Sequence, residues 1–199
     1  MICFTEVNNE HVVLTIPREV FIAEKLNGAF TTLAPFAHLA VETINSYGLD
    51  ALEIMREEGF DVAVLDDVNA RYSTRKMQQV LKRAVALSGD SAFGLRAAEC
   101  FRPGTGHALG LAWFTSDSLR DALQRLARYD RFFSTALSIR FENDDHHPKI
   151  VVDSDIDYTD FPEVMDSTLG IIVKLARGIC GEEFVPKQCD MKRAKPDSW

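Results

Sequence analysis

The sequence predicts an α+β domain in which helices come first and a small antiparallel sheet packs on the later helices. Three observations carry that expectation. Apolar residues recur at helical spacing in successive runs between Leu33 and Phe133. The period then changes from 3.6 to 2 in "ALSIRFEN", where Leu137, Ile139 and Phe141 alternate with Ser138, Arg140 and Glu142. A last long helical run starts at about Phe161, and the tail "FVPKQCDMK" begins like a further strand.

Each element has its own signal. The first thirty residues are weakly patterned, and "HVVLTI" reads as a short strand or an arm ended by Pro17. "APFAHLAVETINSYG" is a helix with Pro35 in its first turn, Phe36, Leu39, Ala40, Ile44 and Tyr47 on one face, and Gly48 at its end. "DALEIMREEG" is a second, short helix with Asp50 as its cap and Gly59 as its stop. Ser73 or Thr74 caps a third, which buries Met77, Val80, Leu81, Ala84 and Val85 and turns Lys76, Lys82 and Arg83 outward. Positions 91–100 add a further helical turn or two, and the small-residue segment "HALGLAWF" leads to the helix-start signal "TSDS". The helix opened there carries Leu119, Ala122, Leu123, Leu126 and Phe133 inward, with Arg120, Asp121, Gln124, Arg125 and Arg128 outward. After the first strand "DDHHP" turns the chain, "KIVVDSD" returns, and the long helix buries Val164, Met165, Thr168, Leu169, Ile172, Leu175, Ala176 and Ile179.

Composition excludes several function classes. At 199 residues, 46% hydrophobic and 26% charged, the chain suits one domain with a sizeable core and is not disordered throughout. Thirty acidic against twenty-two basic residues give a net charge of -8, which gives no general reason to attract phosphate backbones. "MICFTEVNNEH" lacks the basic start and apolar run of a signal peptide, and no stretch approaches the roughly 18 apolar residues of a membrane span. Cys3, Cys100, Cys180 and Cys189 form no C-x-x-C pair, so free thiols in a reducing cytoplasm are expected.

Chemical motifs are scarce. Gly94, Gly104, Gly106 and Gly110 crowd around "RPGTGH", but no apolar strand precedes them and no G-K-[ST] follows, so phosphate binding lacks its context. The plain alternative is a Pro103–Gly104 turn with close backbone packing at the other glycines. No G-x-S-x-G elbow exists, and Cys100 and Cys180 read as small core residues. His146 and His147 lie on the hairpin turn with no metal-ligand spacing, and His38 and His107 each lack a partner. No catalytic residue, metal or cofactor is expected.

The order of the pieces is itself a signature. Gly48-Leu49-Asp50, Gly89-Asp90, Phe93-Gly94-Leu95, Pro103-Gly104, Gly110, and Ser118-Leu119 through Arg128-Tyr129 follow one another as in a known domain. From about Leu33 to Pro186 the chain resembles the N-terminal sensor domain of AraC-type transcriptional regulators, in the branch of the ornithine-utilisation regulators. That branch is often labelled arabinose-binding, a label not to be taken literally, because the arabinose sensor itself would need a jelly-roll of many short strands. The resemblance implies a bacterial, cytoplasmic domain that binds a small effector, pairs as a homodimer, and controls DNA binding by a C-terminal domain with two helix-turn-helix motifs. Family members continue past the tail strand, whereas this chain stops at Trp199. The expectation is therefore an N-terminal arm over 1–32 and a sensing domain over 33–199, cut short before its last strands, with the partners of the tail strand and all DNA contact beyond Trp199. The alternative is a stand-alone small-molecule-binding or dimerisation module.

Under this resemblance the effector pocket is expected to be walled by Leu111, Trp113 and Phe114, with Tyr129 and Phe133 one turn apart on the next helix. His107 is a candidate polar contact or a structural histidine. Arg140 is the one cation in the alternating part of its strand; it either meets an effector carboxylate or points to solvent beside Ser138 and Glu142.

Overall fold

The computed structural model describes residues 2–3, 30–143, 148–156, 158 and 161–193, with the backbone alone at positions 2, 3, 103 and 107–109. Most of the expected arm, including "HVVLTI", and the turn residues Asp144, Asp145, His146 and His147 lie outside the described residues. The architecture is α+β. Strand β1 (Ile2–Cys3) and strand β2 (Thr31–Leu33) precede helices α1 (Pro35–Ser46) and α2 (Ala51–Glu57). A short 3-10 turn (Val62–Asp66) leads to β3 (Arg71–Ser73), α3 (Thr74–Ser88) and α4 (Phe93–Cys100). A second 3-10 turn (Pro103–Gly106) opens α5 (His107–Phe114), followed by α6 (Leu119–Phe133), β4 (Leu137–Glu142), β5 (Lys149–Ser154), α7 (Glu163–Cys180) and β6 (Gln188–Cys189).

Two caps follow their sequence signals, while Ser73 stands at the N-cap position of α3 without a capping side-chain hydrogen bond. Asp50 accepts from the Glu53 amide at 2.9 Å to start α2, and Ser118 accepts from the Asp121 amide at 3.2 Å to start α6. The small-residue segment "HALGLAWF" forms helix α5. Four antiparallel strands lie in the order β4-β5-β1-β6, while β2 and β3 form a separate two-stranded ribbon. In the ribbon Thr32 faces Tyr72, and a single bridge from Thr32 to Ser134 ties it to the end of α6. The tail strand pairs within the chain on one edge, since Gln188 and Cys189 face Cys3 and Ile2 of β1. Cys180, expected among apolar neighbours, is exposed at the end of α7.

The "GDSAFGL" stretch is where the helices lock. Gly89 ends α3 in the left-handed conformation at φ 66°. Asp90 then takes a hydrogen bond from the Tyr47 hydroxyl at 2.7 Å and another from the Ala92 amide at 2.8 Å. Phe93, 1% exposed, stacks on Tyr47 at 5.2 Å between ring centroids. Gly94 lies so close to α7 that a Cβ there would meet the Glu163 backbone, with the Asp166 Cβ at 2.7 Å. One turn on, Ala98 takes the same close approach to Gly170. The glycine at position 94 is thus required by helix packing, while Gly104 has nothing within 4 Å.

Apolar faces gather into two groups. One joins α1, α2, α3 and the start of α4, through Ala37, Ile44, Met55, Val80 and Phe93. The other joins α5, α6, α7 and the sheet, through Trp113, Leu123, Ile139, Ile150 and Ile172. Phe36 packs against both.

Candidate functional site

Between the two apolar groups lies a cavity of about 170 Å³. Its walls are the inward faces that the helical periods define: Phe36, Leu39 and Ala40 from α1, Met77 from α3, Phe93 and Ala97 from α4, Leu126 from α6, and Ile172 and Leu175 from α7. Ile139 closes it from β4.

Two aromatic side chains expected at a pocket wall are there. Trp113, 3% exposed, lines the cavity and donates its indole N–H to the Leu175 carbonyl at 2.9 Å, so its one polar atom is satisfied. Phe133 lines it too and meets Phe36 edge-on at 5.6 Å. The other expected residues lie elsewhere. Leu111 is 72% and Phe114 41% exposed, on the outer side of α5, where Phe114 covers Gly178 of α7. Tyr129 sits where α6 leaves helical geometry (φ −114°, ψ 16°), which undoes its one-turn relation to Phe133 and leaves it outside the lining. Arg140 is exposed on the outer face of β4 and pairs with Asp153 across the hairpin at 2.8 Å. The His107 side chain lies outside the described residues.

Most polar groups at the cavity are already bonded within the protein. Thr32 hydrogen-bonds the Thr74 hydroxyl at 3.2 Å and donates to the Ser134 hydroxyl at 3.0 Å. Thr43, Ser167 and Thr168 donate to helical carbonyls of Leu39 and Val164. Buried Asp130 accepts from the Arg131 amide at 2.6 Å and the Ile139 amide at 2.7 Å, which anchors β4 to α6. Arg125, expected on the outward face, lines the cavity and donates to the Ala112 carbonyl at 2.8 Å.

Two groups break this pattern. Gln78 and Tyr158 line the cavity at 9% and 7% exposure, and among the described residues neither Gln78 Nε2 nor the Tyr158 hydroxyl donates a hydrogen bond of good geometry; the Ser154 hydroxyl, close enough to lower the phenol slightly, donates instead to the Ala136 carbonyl. Burial pushes the Tyr158 hydroxyl up to about 12 and raises Tyr72 as well, so both phenols stay protonated. Gln78 carried a signal that could have been read. It lies on the same face as Thr74 and Leu81, a polar residue inside an apolar stripe. Tyr158 stands in a loop and carries none.

The arrangement offers an apolar chamber with two unpaired neutral donors and no reactive set. No cluster of metal-ligating side chains occurs among the described residues, and no helix among them is long and apolar enough to cross a membrane. No curated protein matches the chain. A family sequence model, that of the arabinose-binding domain of AraC transcription regulators, N-terminal, matches residues 48–199, well over half of the length. Gly48, where that match begins, is the first glycine of the motif order set out above, and the chain belongs to this family of AraC regulator sensing domains.

Proposed function

We propose that the chain is the effector-sensing part of an AraC-type regulator, holding a small molecule in the cavity between its two apolar groups and passing that state to a DNA-binding domain outside residues 1–199. The observation that carries the reading is the cavity, formed where α1, α3 and α4 meet α5, α6 and α7. An occupant there touches both groups at once, so it favours the arrangement in which they fit together around it. The family is one of regulatory ligand-binding domains, not an enzyme class. The net charge of -8 accords with DNA contact being made by another domain. The same reading has the protein in the cytoplasm of a bacterium, paired with a second copy. Leu111 and Phe114, three apart and exposed on α5, supply apolar surface for that pairing.

Native mass spectrometry of protein purified from its own host tests the central claim. A co-purifying small molecule is expected with the parent protein and not with Leu126→Trp, which fills the chamber while the helical spectrum stays native. A ligand retained equally by Leu126→Trp would place binding elsewhere. Sequence-selective binding of duplex DNA by this chain at nanomolar concentration would contradict the division of labour.

A further inference from the structure

We infer that the occupant of this cavity is a small, uncharged, mostly apolar molecule, about one ring in size, carrying a hydrogen-bond acceptor such as a carbonyl oxygen, to which Gln78 and Tyr158 donate. The inference rests on the ligand-sensing reading above and names the class of ligand for that same site.

Three properties of the cavity lead there. The first is its two unpaired donors. A buried polar atom without a partner pays its full desolvation cost with nothing in return, and folded proteins leave few of them. Here two such atoms border one chamber in which the hydroxyls of Thr32, Thr43, Ser167 and Thr168 already donate within the protein. They also sit at the same end. Gln78 is one turn along α3 from Thr74, whose hydroxyl bonds Thr32. Tyr72 faces Thr32 across the ribbon, and the Tyr158 phenol is near enough to help raise the Tyr72 hydroxyl. An acceptor entering at that end satisfies both.

The second property is size. A dry apolar cavity of about 150 Å³ takes a benzene molecule. A chamber of about 170 Å³ walled by Phe36, Phe93, Trp113 and Phe133 suits one ring with a short polar substituent. The third is charge. Two charged side chains line the cavity: Asp130, one turn before Ser134 of the Thr32 hydroxyl chain, meets a carboxylate brought to the donor end as a like charge, while Arg125 is engaged with the Ala112 carbonyl on α5. A sugar fits no better. Every hydroxyl of a pentose needs partners, and a chamber with two free donors leaves most of them buried and unpaired.

Titration calorimetry with four probes tests this: acetophenone, ethylbenzene, benzoate and L-arabinose. Acetophenone is expected to bind at least about tenfold more tightly than ethylbenzene, which matches its shape without the acceptor. Benzoate and arabinose are expected to bind more weakly than either. Tyr158→Phe and Gln78→Leu each remove one donor with little change of volume, and each is expected to shrink the acetophenone advantage. Together they should abolish it while ethylbenzene binds as before. Equal binding of acetophenone and ethylbenzene, or an advantage that survives both substitutions, would overturn the assignment and leave the cavity as a ligand site of another class. Preferential binding of benzoate or arabinose would overturn it the same way. If none of the four binds, the sensing role of the cavity falls, and this inference with it.

Discussion

Arg193, in the segment after the last strand, pairs its guanidinium with the carboxylate of Asp166, a side chain on α7 that solvent does not reach. The same guanidinium donates to the Ser91 carbonyl at 3.3 Å, in the turn that starts α4. The pair therefore fastens the tail to α7 at the point where Gly94 brings α4 closest.

Removing one partner leaves the other's charge buried, which typically costs about 3–5 kcal/mol. Arg193→Met is expected to lose stability of that order at neutral pH in urea unfolding. The double variant Arg193→Met with Asp166→Leu should recover most of it, since no charge remains to be desolvated. A loss below about 0.5 kcal/mol for the single variant would mean the pair does not hold the tail.

The pH dependence has an uncommon sign. Burial pushes the Asp166 carboxyl up to about 6, and Arg193 only partly offsets this. The folded state thus binds the proton more tightly than the unfolded chain does. The stabilisation linked to that proton is complete below the unfolded value near 3.8 and is lost as pH rises through about 6. Asp90 runs the other way. Its hydrogen bond from Tyr47 holds its carboxyl below the usual range, so its contribution is present above that range and lost on acidification. Unfolding curves between pH 7 and 4.5 are expected to show the Asp166 component as a gain on acidification, absent from Asp166→Asn. A parent and variant with parallel pH profiles would refute it.

Gly94→Ala is expected to cost about 1–3 kcal/mol or more, because the clash is with backbone of α7 that cannot rotate away. Gly104→Ala, with nothing within 4 Å of the new methyl, should change stability by less than about 0.5 kcal/mol. Thermal unfolding of the two variants side by side decides whether the glycines of this region serve packing or something else. Equal effects would remove the packing explanation.

What was legible in the sequence is what periodicity can carry. The stripes Met77, Val80, Ala84 and Leu119, Ala122, Leu123 are long, polar on the far side, and buried as their spacing requires. "HALGLAWF" escaped because it is apolar on every side, so it shows no stripe. Strands β2 and β3 are three residues each, too short to show a period of 2. Asp130, Gln78 and Asp166 lie on buried faces where a polar residue looks out of place. For Asp130 and Asp166 the meaning comes from partners on other elements, the Ile139 amide of β4 and Arg193 after β6. The Tyr129 kink has no proline or glycine to announce it. Of the cavity lining, Trp113 and Phe133 were named from the sequence, Gln78 left a trace as a polar residue in an apolar stripe, and Tyr158 left none.

Trp113 separates the structural role of the cavity wall from the proposed binding role. Its indole N–H is fully used by the Leu175 carbonyl, so it has no donor left for an effector. Trp113→Phe keeps an aromatic wall but leaves the Leu175 carbonyl without that partner and opens a small void. It is expected to cost about 1–3 kcal/mol of stability. Leu111→Ala, two positions away and 72% exposed, should cost less than about 0.5 kcal/mol. Urea unfolding checks both values, and calorimetry with acetophenone adds the second reading. Because Trp113 offers the occupant surface and no hydrogen bond, Trp113→Phe should weaken acetophenone and ethylbenzene by the same factor and leave their ratio unchanged. A change in that ratio would mean that the tryptophan, not Gln78 and Tyr158, reads the acceptor.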